Sequence, residues 1–274
     1  MLRPSPSSFA APDTTSAKKR YQAEACVAKH TGDRTEQQDR AAVFAHPTRK
    51  GTLMAVLADG MGGHSGGAMA AEQVILKARQ NFEAFAPASE SATDLLHSIV
   101  DEAHIVIKLT RFTSEQDPHS TAVVFMMQPD RADWAHCGDS RFYHFRAGKL
   151  VTRSIDHSLV EELVRKGRLD PEGALRHPNR NVLLSCLGSE REPRVDFGHA
   201  SPLVGGDAFL LCSDGLWAYI NEDETGQILA SMSPRDAASA LIELARQRAK
   251  GGGDNISLAI VKLVEVNNTP SHRR

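Results

Sequence analysis

The sequence predicts an α+β fold built on antiparallel sheet, and three observations lead there. Apolar runs of strand length, bounded by Gly, Pro or polar turns, recur along the chain. Two long helix-period stretches follow one another directly, with no strand between them. The order (strands, two helices, strands, an irregular insertion, a strand, helices, a final strand) lacks the βαβ alternation of a parallel sheet. The 274 residues are 41% apolar, enough for one large domain or two small ones with a substantial core. No internal repeat is visible.

Residues 1–20, rich in Pro, Ser, Ala and Thr, read as a disordered tail, and residues 266–274 likewise, which leaves 21–265 as the folded domain. Tyr21–His30 alternates apolar and polar residues as a strand with one buried face. Arg40–Ala45 and Thr52–Ala58 are further strands, and the second runs straight into Asp59-Gly60-Met61-Gly62-Gly63-His64. Ala68–Phe85 carries Ala70, Val74, Ile75, Ala78 and Phe82 near a 3.6-residue period. Asp94–Phe112 carries Leu95, Ile99, Ala103, Val106 and Leu109 on one stripe. Thr121–Met127, Ala132–Cys137, Arg141–Arg146 and Lys149–Thr152 are closely spaced strands, with Ala147-Gly148 as a hairpin turn. His157–Arg168 is helix-like, and Leu169–Asn181 is an irregular stretch with two prolines. Ala208–Cys212 is a strand. Ser233 as N-cap, Pro234 and Asp236 start a helix that runs to about Lys250 and stops at three glycines. Ile256–Val264 is the last strand.

Charge and cysteine usage exclude several classes. With 32 basic against 34 acidic residues the net charge is -2, so there is no concentrated cationic face for nucleic acid. No apolar run approaches the ~18–20 residues that span a membrane, and the N-terminus has no secretory h-region. Cys26, Cys137, Cys186 and Cys212 are dispersed, without CxxC spacing, and read as buried free thiols of a reducing compartment. None has an Arg six positions on, so no Cys-x5-Arg phosphatase loop is present.

The pattern that carries chemistry is aspartate at strand ends. Asp59 follows LMAVLA, Asp139 follows WAHCG, Asp214 follows FLLCS, Asp254 precedes ISLAIV, and Asp39 lies just before a strand. Any one Asp-Gly is a turn signal. Five carboxylates at the edges of sheets would repel one another, and hard divalent cations with a preference for oxygen resolve that conflict. The glycines after Asp59 fit neither a nucleotide P-loop, since no GK[ST] follows, nor a GxGxxG turn. They allow close backbone approach to an ion, with a carbonyl as ligand. Arg34 offers a planar fork for phosphate, and His64 is the histidine within the glycine-rich turn.

Taken together, Arg34-Thr35-Glu36-Gln37-Gln38-Asp39, Asp59-Gly60-Met61-Gly62-Gly63-His64, Ser120-Thr121-Ala122, Gly138-Asp139-Ser140-Arg141, Asp156-His157-Ser158-Leu159, Cys212-Ser213-Asp214-Gly215-Leu216-Trp217 and Gly253-Asp254-Asn255-Ile256-Ser257 resemble, in order, the motifs of the metal-dependent protein phosphatases of the 2C type, in their bacterial form. The resemblance spans residues 21–265. Gln37 stands where Asn is usual and His119 where Gly usually precedes the Ser-Thr pair; neither removes a carboxylate.

The resemblance implies two packed antiparallel β-sheets flanked by helix pairs. It implies a binuclear Mn²⁺ or Mg²⁺ centre with Asp59 bridging, the Gly60 carbonyl as ligand, Asp214 and Asp254 completing the first shell, and Asp39 near the second ion. Asp139, with Asp214, would serve a third. Arg34 would bind the substrate phosphate, and residues from about 158 to 185 would form a flap. The implied activity is hydrolysis of phosphoserine and phosphothreonine by direct attack of metal-activated water, with His64 as proton donor. The implied setting is a monomer in the bacterial cytoplasm that acts on phosphorylated proteins and opposes Ser/Thr kinases. The rival expectations are a metal-dependent phosphodiesterase and a non-catalytic regulatory domain on the same fold.

Overall fold

The computed structural model describes residues 21–110 and 116–266, except the side chains of His64 and Ser65. The expected tail 1–20, residues 267–274 and the expected helix end at Phe112 lie outside the described residues. In chain order the elements are β1 (Tyr21–His30), β2 (Arg40–Ala45), β3 (Leu53–Ala58), β4 (Gly60–Met61), α1 (His64–Ala84), α2 (Ala92–Thr110), β5 (His119–Ser120), β6 (Ala122–Gln128), β7 (Arg131–Cys137) and β8 (Arg141–Arg146). They continue with β9 (Lys149–Arg153), α3 (Leu159–Arg165), α4 (Pro171–Arg176), β10 (Asp196–Ala200), β11 (Asp207–Cys212), α5 (Asp214–Trp217), α6 (Glu222–Ser231), α7 (Pro234–Ala249) and β12 (Ile256–Glu265).

Two five-stranded sheets, ordered β1-β12-β11-β8-β9 and β10-β7-β6-β3-β2, hold the fold. Every neighbouring pair in them is antiparallel. The central strands read as unbroken apolar runs because both faces of each sheet are covered. Within the run the side chains still alternate. Ala55 and Leu57 of β3, with Val123 and Phe125 of β6, point between the sheets, where they meet Phe142, Phe209 and Val261. Met54 and Val56, with Val124 and Met126, point outward onto Val74, Phe82, Leu95 and Ile99 of α1 and α2. On the other outer face Phe145, Leu210, Leu258 and Ile260 pack on Leu216, Leu229 and Leu241 of α5 to α7. The result is helix, sheet, sheet, helix, the fold class expected from sequence. Phe125, Phe142, Phe209 and Trp134 stack through the centre. Truncating Phe125 to Ala there would cost about 3–5 kcal/mol, by lost transfer energy plus a cavity.

Some elements differ from the sequence expectation. α1 starts at His64 rather than Ala68. Gly62 and Gly63 take φ of 127° and 74° and turn the chain directly into the helix, while Gly66 and Gly67, poor helix formers, mask its first turn in the sequence. On α2 the core stripe ends at Ile107, and Leu109 is exposed. The expected helix over 157–168 is only α3, capped by Ser158, and the irregular stretch after it holds α4, capped by Asp170. Cys26 and Cys186 are half-buried rather than buried, and all four cysteines are free thiols. Strand β10 was not anticipated: it is short, polar and interrupted by Gly198, whose missing Cβ makes room for the Trp134 ring. The turn at Ala147-Gly148 has positive φ at both residues, 48° and 79°, as a tight hairpin requires.

Candidate active site

Antiparallel register gathers the acids. The end of β3 lies beside the start of β2, with Ala58 opposite Arg40, so Asp59 and Asp39 share one edge of their sheet. The end of β11 lies beside the start of β12, with Cys212 opposite Leu258, so Asp214 and Asp254 share an edge of the other. Arg141, two residues after Asp139, is opposite Cys212. Because the sheets are stacked, these edges face a common space. A cavity of about 340 Å³ there is lined by Asp59, Gly60, Asp139, Asp214 and Asp254, with Arg34 and Asn255. Asp39 stands behind this lining, fully buried.

The electrostatics of the cluster are unfavourable on its own. Burial, reinforced by Asp39, Asp214, Asp139 and Asp254, holds the Asp59 carboxyl well above its usual range. Asp214 is raised well above its usual range by burial and by Asp139, Asp254 and Asp39. Burial pushes Asp139 up to about 7, with Asp156 as the next cause. Burial likewise lifts Asp39 to about 6, against the hydrogen bond from Ser213. Among the described residues, one cation pairs directly with the group: Arg34 Nη2 lies 2.5 Å from Asp254 Oδ2. The buried Asp39 Oδ1 has, among the described residues, no hydrogen-bond partner of good geometry.

Mutually repelling carboxylates in one cavity, with the orphaned Asp39 oxygen behind them, are the donor set of a hard divalent cation, so the residues fit the metal that the motifs imply. Among the described residues, no three of these aspartates bring ligand oxygens within 4.8 Å of one another. A single tight carboxylate trio is therefore not what the geometry offers.

The sequence motifs contained several residues whose work only the structure reveals. Ser213 Oγ donates to Asp39 Oδ2 at 2.7 Å and aims that carboxylate. Thr121 Oγ1 accepts from the Asp59 N–H at 2.9 Å and meets Ser140 Oγ at 2.7 Å, which ties the Asp59 and Asp139 turns together. Asn255 pins the loop before Asp39: its Oδ1 accepts from Gln38 N, and its Nδ2 donates to the Thr31 and Glu36 carbonyls. Gln37, unusual for the motif, donates to the His30 carbonyl and accepts from Asp39 N. The indole of Trp217 donates to the Asp139 carbonyl at 2.9 Å, and Arg141 stacks on that ring while forming a two-pronged pair with Asp156. The sequence signal for these residues was their place in the ordered motifs, most of them beside a strand-end aspartate and Thr121 in Ser120-Thr121-Ala122.

Gly60 has no room for a side chain, since a Cβ there would lie 1.9 Å from the Gly67 carbonyl oxygen. His64 opens α1 beside the site, and its side chain lies outside the described residues.

Fold and site together define a family with a two-sheet sandwich and an acid-lined metal cavity at its edge. The family model "Protein phosphatase 2C" matches residues 28–248, and the chain belongs to that family. Protein phosphatase PhpP of Streptococcus pneumoniae is 34% identical over 235 residues, covering 85% of this chain and 94% of that protein. The serine/threonine phosphatase of S. agalactiae superposes with a TM-score of 0.79 at 31% identity, covering 89% of this chain and all of the other. The catalytic domain of the serine/threonine protein phosphatase PstP, solved in complex with two manganese ions, superposes at 0.73 with 27% identity, covering 90% and 100%.

Proposed function

We propose that this chain is a metal-dependent protein serine/threonine phosphatase that hydrolyses phosphomonoesters without a covalent phosphoenzyme. The observation that carries the reading is the convergence of Asp59, Asp139, Asp214 and Asp254 on one cavity, with Asp39 behind them and Arg34 among them. The names of the relatives, and the two manganese ions in the PstP structure, support it.

Asp59, the Gly60 carbonyl, Asp214 and Asp254 would hold one ion, Asp39 would serve a second, and Asp139 with Asp214 would serve a third. The wide spacing of the carboxylates fits several ions better than one. Bound Mn²⁺ or Mg²⁺ supplies charge neutralisation and lowers the pKa of coordinated water. Arg34, mostly exposed at the cavity rim, exchanges its Asp254 partner for the substrate phosphate, which its planar fork fits. His64 donates the proton to the leaving alkoxide. No cysteine lines the cavity, and burial pushes the Cys137 thiol up to about 12, so a thiolate nucleophile has no support.

Residues 158–185 act as the flap. Their described helices have no buried residues. They wall a groove of about 380 Å³ that runs on from the acids past Val160, Val164, Leu175, Arg180 and Trp217. Such a groove suits a peptide on either side of a phosphorylated residue. Phosphoproteins, products of a Ser/Thr kinase, are the substrates, and the domain 21–265 works as a cytoplasmic monomer. No helix among the described residues is long and apolar enough to cross a membrane.

The test is turnover of p-nitrophenyl phosphate and of a phosphothreonine peptide. EDTA should stop both and Mn²⁺ restore them, while bis-p-nitrophenyl phosphate should be the poorer substrate. Undiminished turnover in EDTA, or faster diester hydrolysis, overturns the reading.

A further inference from the structure

Outside the carboxylate cavity, among the described residues, one group of histidine and acid side chains has ligand atoms mutually within 4.8 Å: His136, His157 and Asp196. His136 and Asp196 are cross-strand partners at the edge where β10 joins β7. His157 leads into the flap. Its Nε2 lies 3.1 Å from Asp196 Oδ2, and its ring centroid is 4.7 Å from that of His136. His136 is 1% exposed, and among the described residues neither ring nitrogen has a hydrogen bond of good geometry, the Ser140 backbone making the nearest polar approach. Native structures rarely leave a buried imidazole wholly unsatisfied. Burial, then the neighbouring His157, pushes the His136 ring down to about 3, so it is neutral with a lone pair to give.

We propose that His136, His157 and Asp196 form a second cation site, distinct from the carboxylate centre, for a divalent ion of the zinc class. Two imidazoles and one carboxylate are a donor set for zinc rather than for magnesium, and three protein ligands leave a position for water. Arg194 grips Asp196 through both carboxylate oxygens, at 3.1 and 2.9 Å, and so orients the ligand from behind. A groove of about 560 Å³ bounded by His136, Asp196 and Trp134 gives the ion a way in, and it shares no lining residue with the acid cavity. The Gly138 N–H points at His157 Nδ1 at 3.3 Å, which places the ring proton on Nε2. Binding through Nε2 would move that proton to Nδ1 and give up both hydrogen bonds of the ring, to Gly138 at 3.3 Å and to Asp196 at 3.1 Å, so that Nε2 and the Asp196 carboxylate face the ion instead of each other.

The consequence concerns the flap. The His157 carbonyl accepts from Leu184 N at 2.8 Å, and Leu159 N donates to Val182 O at 2.9 Å, so both ends of the flap meet at His157. Asp196 opens the strand that follows. The ion would clamp the flap stem to β7, three residues before Asp139.

Full-length protein saturated with Mg²⁺, so that the oxygen-lined centre is filled, is titrated with Co²⁺ as the coloured stand-in for zinc. The expected result is the strong visible absorption of tetrahedral Co²⁺, saturating at one such ion per chain and displaced by Zn²⁺, whereas Co²⁺ that exchanges into the six-coordinate oxygen-lined centre absorbs only weakly. That signal is lost in Asp196→Ala and in His136→Asn and kept in Asp214→Asn. Asp196 is half-exposed, so its variant keeps the test available should His136→Asn misfold. Zn²⁺ should also slow amide exchange over 158–195 in the wild type alone. Absorption that survives in Asp196→Ala, disappears in Asp214→Asn, or never forms overturns the site. Because the readout is binding, it is independent of whether the acid cavity hydrolyses phosphoesters.

Discussion

Strand β11 runs from one aspartate to the edge of another, fully buried Asp207 at its start and half-buried Asp214 just beyond its end, and the two are treated in opposite ways. Asp207, at its start, accepts from Arg146 through both oxygens, from the Val204 N–H, and meets His144 Nε2 at 3.0 Å. These partners outweigh burial and hold its carboxyl down at about 2. Asp214, just beyond the other end, has no such cation and is pushed well up by burial and by three neighbouring acids. A carboxylate supplied with partners is structural. One left without them, beside others in the same condition, stores a charge imbalance that only a ligand can relieve. The same strand therefore has a stability end and a binding end.

The largest expected effect separates these ends by mutation. Asp59→Asn or Asp214→Asn should lower metal-dependent turnover by more than about 100-fold, beyond what losing an outer-shell partner costs. The metal-free protein should be no less stable, because repulsion is removed. Asp207→Ala should do the reverse: turnover per folded molecule stays near wild type while stability falls by about 2–3 kcal/mol. That is less than for a wholly enclosed pair, since Arg146 is half-exposed and can regain water. Steady-state kinetics alongside urea melts decide it, and equal loss of activity in both variants would erase the distinction.

The pH dependence of stability sharpens the contrast, because the two ends have opposite signs. Asp39 and Asp139, raised to about 6 and about 7, bind protons in the folded state that the unfolded chain has released. Without metal, stability should therefore fall as pH rises from about 4 to about 7. The depressed Asp207 contributes stability that is present above about 4 and lost as pH falls toward 2. Metal-free protein should thus be most stable in mildly acidic solution, and saturating Mn²⁺ should move the maximum toward neutrality. A metal-free stability curve flat between pH 4 and 7 would contradict the assigned imbalance.

The smallest effect belongs to the loop that holds Asp39. Asn255→Ala removes three hydrogen bonds to residues 31–38. It should cost about 1–2 kcal/mol of stability and about 10-fold in turnover, with a larger loss at low Mn²⁺. Metal titration of kcat measures it; no change in metal dependence would reduce Asn255 to a loop staple.

Much of the fold was legible because both strand faces and helix stripes are written in apolar spacing. β1, β2 and β8 match their expected spans, and α7 starts at the expected Ser233 cap. What escaped was signalled weakly. β10 is polar and broken by Gly198, whose role is set by Trp134 across the strand pair. α6 was missed although its capping box, Asn221 with Glu224, stood in the sequence. The stripe on α2 shifted to Ile107 because residue spacing alone does not say which of two adjacent faces meets the sheet.

For the site, the sequence by itself determined which residue types stand at strand ends, and the ordered motifs made the family recognisable. It could not say whether those aspartates meet, since each lies in a turn that would be unremarkable alone. The tertiary structure decided that, because antiparallel register and the stacking of two sheets bring segments from residue 39 to residue 254 to one edge. It also decided which acids are satisfied and which are not, and charge balance of that kind exists only between residues far apart in the chain.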